Sequence, residues 1–264
     1  MFRLATSYDL DSLLEFFKQD PEINLFMIAD LEFYGLNNDF IKVWIDDLRV
    51  IKTVVLTYHK NMLLYSISND YDKNELKSLI HHAKPDFFSC SSHCFSYIES
   101  FILNDFTLRK HTLAKLTNLV KPDYHLIPAR LASSKDAKGI SESIFLVDEF
   151  RDYITATLEE RIKINERKIE EGFSVHFVIE ENGIIVANAN TSAICSVAAM
   201  IGGVFTLSQI RNKGYATSVV YHLCDYLLKK RITPLLFFEN PKAASIYHKL
   251  GFNDIDEWYV LKKK

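Results

Sequence analysis

Cysteine is scarce in this chain, with 4 in 264 residues. So few thiols do not make the dense framework of a small secreted domain, and they are expected to stay reduced, in a cytoplasm. Long apolar runs are missing as well: no uninterrupted stretch is long enough to span a bilayer, so no membrane partner is expected. Residues 1–9 reach an acid quickly and hold no apolar signal core. Positive charge is not in excess. Lys and Arg number 31 against 34 Asp and Glu, a net charge of −3, and the isoelectric point is near 6.3. The electrostatic footprint of a nucleic-acid binder is therefore absent. Two common phosphate-binding signatures are lacking too: there is no G-x-x-x-x-G-K-[ST], and no G-x-G-x-x-G following a strand.

What is present is the composition of a folded globular protein, 48% hydrophobic and 25% charged, long enough for one large or two ordinary domains. The most informative stretch is the loop Ile210-Arg211-Asn212-Lys213-Gly214-Tyr215-Ala216-Thr217. The apolar run 198–206 before it reads as a buried strand. After it, Val219, Val220, Leu223, Leu227 and Leu228 fall on one face of a helix. The order is strand, short basic loop, helix, with Gly214 at the helix entrance. The first N–H groups of a helix lack internal partners and the helix dipole favours anions there. A glycine lets backbone approach a ligand closely, and Arg211 adds a charge-assisted grip on phosphate.

Arg211-x-x-Gly214-x-Ala216 resembles the R/Q-x-x-G-x-G/A loop of the GNAT N-acetyltransferases, with Ala216 in place of the more usual second glycine. A second segment strengthens the resemblance. Asn240, Ala243, Tyr247, Gly251 and Phe252 are similar to the GNAT pattern N-x-x-A-x-x-x-Y-x-x-x-G-F, one helix and one strand after the loop. Asn240 suits a helix N-cap, Pro241 the first helical position, and Gly251 the position after the helix end.

A short internal repeat bears on the organisation. Residues 3–9 and 130–136 both read R-L-A-[ST]-S-x-D, and each leads from a strand into a helix start. The two halves also end alike, each on a helix, a turn and a strand. A tandem pair of similar domains is the economical explanation. The fold class expected is mixed α/β (an α+β mixed sheet): two GNAT-like domains, 1–121 and 122–264, with the break where Pro122 interrupts the pattern. In the first half the pattern predicts helices over 10–17, 23–33, 74–82 and 95–106, and strands over 41–45, 51–58, 62–67 and 112–116. Its strand-to-helix segment, Ser68-Asn69-Asp70-Tyr71-Asp72, carries two acids and no arginine, so this half reads as a degenerate, non-catalytic copy. In the second half a strand is predicted over 125–131 and helices over 136–146 and 155–171, the latter with a solvated charged face. An Asn-Gly hairpin follows, joining strands 175–180 and 184–189.

The resemblance implies direct transfer of an acetyl group from acetyl-CoA, as co-substrate and without a metal, to an amine on a small molecule or protein. Pantetheine is then expected along Val204, Phe205, Thr206 and Leu207 as an added strand, where a backbone N–H stabilises the tetrahedral oxyanion. Arg211, Asn212, Lys213, Gly214, Tyr215, Ala216 and Thr217 surround the pyrophosphate, and Asn240 bonds near the pantetheine. Tyr247 matches the tyrosine that protonates the leaving thiolate. Glu239, at a strand end, is the first candidate for general base, ahead of His176 and His222, and a water chain is an alternative. The cluster Cys90-Ser91-Ser92-His93-Cys94, with His81 and His82 nearby, matches no common zinc spacing and reads as buried thiols at a serine-capped helix start. Two alternatives stay open: a non-catalytic acyl-CoA-binding or interaction module on the same fold, and a transferase using another acyl group. The first half is expected either to shape the acceptor side or to serve packing or homodimer formation.

Overall fold

A computed structural model describes residues 1–46, 50–153 and 156–264 of the chain. The first elements are β1 (Phe2–Leu4), α1 (Leu10–Phe17), α2 (Pro21–Tyr34), β2 (Ile41–Asp46), β3 (Thr53–Tyr58), β4 (Asn61–Ser66), α3 (Lys73–Ala83), β5 (Phe87–Ser91), α4 (Ser92–Ile102) and β6 (Phe106–Leu116). After these come β7 (Arg130–Leu131), α5 (Ala137–Phe145), α6 (Leu158–Glu170), β8 (His176–Glu181), β9 (Ile184–Ile194), β10 (Ala198–Thr206), α7 (Tyr215–Lys229), β11 (Thr233–Phe238), α8 (Pro241–Lys249) and β12 (Phe252–Lys263).

Contacts group these elements into two units, Met1–Leu113 with Asp254–Lys264, and Ala114–Asn253. The sequence reading cuts the chain once, after residue 121, and keeps the last strand in the second half. Pairing accounts for the difference. Residues 258–262 of β12 run antiparallel to residues 87–91 of β5, and Leu261 is buried with Phe88 and Cys90 in the core of the first unit. The first unit thus has strand order β1-β2-β3-β4-β5-β12-β6, with β4 and β5 parallel. In the second unit the order is β11-β10-β9-β8-β7, with β10 and β11 parallel.

The repeated heptapeptide builds the same device twice. Arg3 forks onto Asp9 at 2.9 and 2.7 Å, and Arg130 forks onto Asp136 at 2.9 and 2.7 Å. In each copy the same aspartate also accepts a backbone N–H at 2.8 Å, from Thr6 or from Ser133, closing a capping box on a short 3-10 turn. These bonds hold both carboxyls low, Asp136 at about 2. Only local residues are needed, which is why a seven-residue pattern suffices.

Several boundaries move. Phe106 opens β6 rather than closing the helix before it. The strand expected over 125–131 shrinks to Arg130–Leu131. Pro128 has no N–H to give a ladder, and the N–H of Ile127 donates to Ser218 Oγ at 3.0 Å instead. Thr155, the expected start of the charged helix, lies outside the described residues; α6 starts at Leu158 behind a capping box of Thr157 and Glu160. None of its residues is fully buried; the charged face is solvated, while Ile169 packs against the core of the second unit and Asn165 Nδ2 donates to Ser141 Oγ at 3.0 Å. The Asn-Gly turn forms as expected, Asn182 and Gly183 both at positive φ (51° and 78°). On α7, Val219, Val220, Leu223 and Leu227 are fully buried, while Leu228 is 38% exposed. Cys90 and Cys94 are buried, and Ser91 occupies the N-cap position of α4 without a side-chain capping bond.

Candidate active site

Strands β10 and β11 run side by side for only part of their length. Ala198 to Ile201 pair with Thr233 to Leu236, and there the pairing ends, although both strands continue. On its other edge β10 carries a bulge against β9: Gly202 faces Asn190 and Phe205 faces Asn188, two residues opposite one. Gly203 sits in the bulge at φ 55°, and a Cβ there would meet Asn190 Oδ1 at 2.0 Å, so side chains are excluded by both conformation and space. Beyond Ile201 the β11-side edge of β10 is open.

The loop after β10 turns through Asn212 (φ 65°) and Gly214 (φ 87°) into α7. Gly214 is the N-cap and brings no side chain to the first helical N–H groups. Together the open strand edge, this loop and α8 enclose a cleft of about 830 Å³. Val204, Phe205 and Thr206 line it from the strand, Arg211, Asn212, Lys213, Gly214, Tyr215, Ala216 and Thr217 from the loop and helix start, and Asn240 and Tyr247 from the second motif. Glu239 is at the end of β11, exposed, and is not among the lining residues.

Tyr247 is 8% exposed, its ring about 6.0 Å from both Phe238 and Phe252. Burial pushes its phenol up to about 12, with Cys224 adding to the effect, so it remains protonated across the neutral range. Asn240 caps α8, its Oδ1 accepting the N–H of Lys242 at 2.9 Å. Thr206 Oγ1 is buried in the cleft wall with no hydrogen-bond partner among the described residues. A buried orphan hydroxyl is costly unless something meets it.

Arg211 departs from expectation. Its Nε donates to Thr206 O at 3.0 Å, and its two terminal nitrogens donate to Glu149 at 2.6 and 2.9 Å. The guanidinium therefore holds a carboxylate where the sequence reading places a phosphate. Glu149 belongs to a 3-10 turn, Asp148–Tyr153, and Arg211 holds its carboxyl below the usual range. Val147, Glu149, Phe150 and Tyr124 also line the cleft and were not anticipated. They come from irregular segments with no periodic pattern, so no local signal marks them.

The two histidines have other duties. His222 stacks on Phe177, centroids 6.4 Å apart. His176 is buried, bonded through Nε2 to Ser174 Oγ at 3.0 Å and through Nδ1 to Asn188 Oδ1 at 2.9 Å. Burial lowers it to about 4. In the first unit, Asp46, Asp70, Asp72 and Glu75 line a small hollow, so the segment before α3 is acidic where the segment before α7 is basic. Among the described residues no group of three or more His, Cys, Asp or Glu is placed to hold a metal, and no helix is long and apolar enough to cross a membrane.

A strand pair that parts over a basic loop and a helix N-terminus, in a tandem α/β chain, defines the class. The solved structures with this architecture include an acetyltransferase of the GNAT family from Colwellia psychrerythraea, 14% identical, covering 100% of both chains with a TM-score of 0.62. A GCN5-related N-acetyltransferase from Sphaerobacter thermophilus is 10% identical, covering 100% of this chain and 95% of its own, with a TM-score of 0.65. A tandem GNAT protein from the clavulanic acid biosynthesis pathway is 13% identical, covering 99% and 97%, with a TM-score of 0.63. Residues 169–261 match the GNAT acetyltransferase family model. Over that stretch the chain is similar to the GNAT acetyltransferase family, and over its whole length it has the fold of tandem GNAT proteins. No curated protein matches it.

Proposed function

We propose that the second unit binds acetyl-CoA and transfers its acetyl group to a primary amine. The observation that carries this reading is the meeting of both motifs in one cleft: the loop Arg211-x-x-Gly214-x-Ala216 and the pair Asn240 and Tyr247 line the same 830 Å³ space. The residues present suit the co-substrate. An open β10 edge accepts an extended, amide-bearing arm such as pantetheine. Thr206 Oγ1 offers it a hydrogen-bond partner that the protein itself leaves unused. The N–H groups of Gly214, Tyr215, Ala216 and Thr217, at a helix entrance without a side-chain cap, suit a pyrophosphate. Arg211 joins them once Glu149 is displaced.

Acetyl-CoA supplies an acyl group activated as a thioester. The amine forms the new C–N bond as the C–S bond breaks, and the sulfur gains a proton as the amine loses one. Tyr247 is the donor at the sulfur. A thiol of ordinary acidity titrates near 8.5, so a phenol near 12 loses its proton to the thiolate uphill by roughly 5 kcal/mol. Tyr247 therefore acts best as a hydrogen-bond donor while charge builds on sulfur. Glu239 does not line the cleft, so we assign removal of the amine proton to a water chain, with Glu239 as the carboxylate beyond it. The acceptor is an amine on a small molecule or a protein.

Thermal unfolding with and without acetyl-CoA tests this. A ligand at a hundredfold excess over its Kd adds about 2.7 kcal/mol of stability. The shift is expected in the natural chain and lost in the Arg211→Ala/Gly214→Asp double variant. No shift at millimolar acetyl-CoA rejects the reading. A shift with longer acyl-CoAs alone reassigns the acyl group, and binding without transfer to any of a panel of amines leaves a non-catalytic acyl-CoA-binding module.

A further inference from the structure

Bulging β10 at Gly203 forfeits a ladder bond, and a side chain replaces it. Asn188 Nδ2 donates to Gly203 O at 2.7 Å and to Asn190 Oδ1 at 3.2 Å. Both partners are acceptors, so the amide orientation of Asn188 is determined: its nitrogen faces the bulge and its Oδ1 faces His176. Oδ1 accepts, so His176 must carry its proton on Nδ1, 2.9 Å away. Nε2 is then an acceptor, and the single hydroxyl proton of Ser174 faces two acceptors, His176 Nε2 at 3.0 Å and Thr191 O at 2.6 Å, where it donates. A chain of contacts thus runs from the backbone of β9, through the three buried side chains of Ser174, His176 and Asn188, to the carbonyl of the bulge. His176 is 4% exposed and Asn188 1%. A buried amide without partners is expensive, and here both ends of the Asn188 amide have one.

The segment the relay holds is the one that faces the cleft. Gly203 directly precedes Val204, Phe205 and Thr206, and Phe205 is the register partner of Asn188. We propose that Asn188, oriented by His176, is a positioning residue that holds β10 in its bulged register and so sets the Val204–Thr206 backbone against which the acyl thioester docks. The reading rests on the function proposed above for this cleft. Neither residue touches the cleft, so both act through the backbone. A strand whose bulge can slip by one residue moves its side chains and amides to the opposite face.

Two variants separate positioning from general support. Asn188→Ala removes the donor to Gly203. His176→Asn keeps a donor on the Nδ1 side. Three readouts apply to the full chain: titration with CoA, the carbonyl stretch of bound acetyl-CoA labelled with 13C at the thioester carbon, and amide hydrogen exchange without ligand. In Asn188→Ala, CoA affinity is expected to stay within about threefold, because the phosphate loop is untouched. The bound carbonyl should return toward its frequency in water, and exchange over residues 202–206 should quicken at least tenfold while residues 213–217 keep natural rates. His176→Asn should restore the natural behaviour in all three. An unchanged carbonyl frequency together with unchanged exchange over 202–206 overturns the proposal. If the natural chain binds no CoA, the functional reading fails by itself, and the exchange measurement alone decides this one. If Asn188→Ala does not fold, His176→Phe, which removes the donor to Asn188 while filling the space, is read in its place.

Discussion

Arg211 illustrates how one side chain can be legible in type and not in partnership. Its place in the motif reads as that of a phosphate-binding cation, but its partner in the structure, Glu149, lies 62 residues earlier, in a turn without periodicity, and nothing local announces it. The pair is open to solvent, 38% and 59% exposed, so it contributes on the order of 0.2–1 kcal/mol. Replacing Glu149 with Gln frees the fork. CoA binding is expected to tighten by up to about fivefold, read by calorimetric titration; weaker binding would mean that Glu149 orients Arg211 instead of competing for it. His176 makes the complementary point about protons. Burial holds it near 4, opposed by its bond to Asn188 and reinforced by the positive charges of Arg161 and Lys168. The unfolded chain takes up this proton as pH falls through about 6.5, and the folded chain resists until about 4. Stability is therefore complete above 6.5 and declines as the solution is acidified. At pH 4.5 the loss from this one group is about 2.5 kcal/mol. Urea unfolding at pH 7 and pH 4.5 should show that loss in the natural chain and not in His176→Asn; equal losses in both would assign the acid sensitivity to other groups.

Elements were readable where their signal is local. The Asn-Gly hairpin, the strand-loop-helix around Gly214, and the cap at Asn240 with Pro241 behind it all depend on residues a few positions apart. The parting of β10 from β11 and the bulge at Gly203 were not readable, since both are relations between strands and an apolar run says nothing about register. Asn188 passed as part of such a run, and only its reach to the Gly203 carbonyl gives it a purpose. For α8 the cap carries a clear consequence. Asn240→Ala removes the acceptor of the Lys242 N–H and should cost about 1 kcal/mol in urea unfolding. A fall in CoA affinity beyond the stability change would add the cleft contact proposed for Asn240, whereas a change in stability alone would reduce its role to capping.

At the scale of the whole chain, the repeat R-L-A-[ST]-S-x-D was legible because its arginine, hydroxyl and aspartate close on one another within seven residues. The ownership of the last strand was not, because a run of residues after a helix gives no hint of which sheet it joins. The first unit takes Asp254–Lys264, and β12 stands between β5 and β6 in its sheet. A division after residue 121 therefore removes an interior strand from the first unit, leaving the paired edges of β5 and β6 without partners and Phe88 and Cys90 without Leu261 above them. Unpaired interior edges invite aggregation, and the lost burial is a large part of a marginal stability. Residues 1–121 expressed alone should lack the dispersed amide spectrum of a folded domain and should aggregate. Residues 1–113 joined by a short flexible linker to residues 254–264 should regain that dispersion, with a cooperative urea transition. If 1–121 folds cooperatively without the C-terminal strand, β12 is an accessory of the first unit and the single cut read from the sequence describes the autonomous domain better than the contacts do.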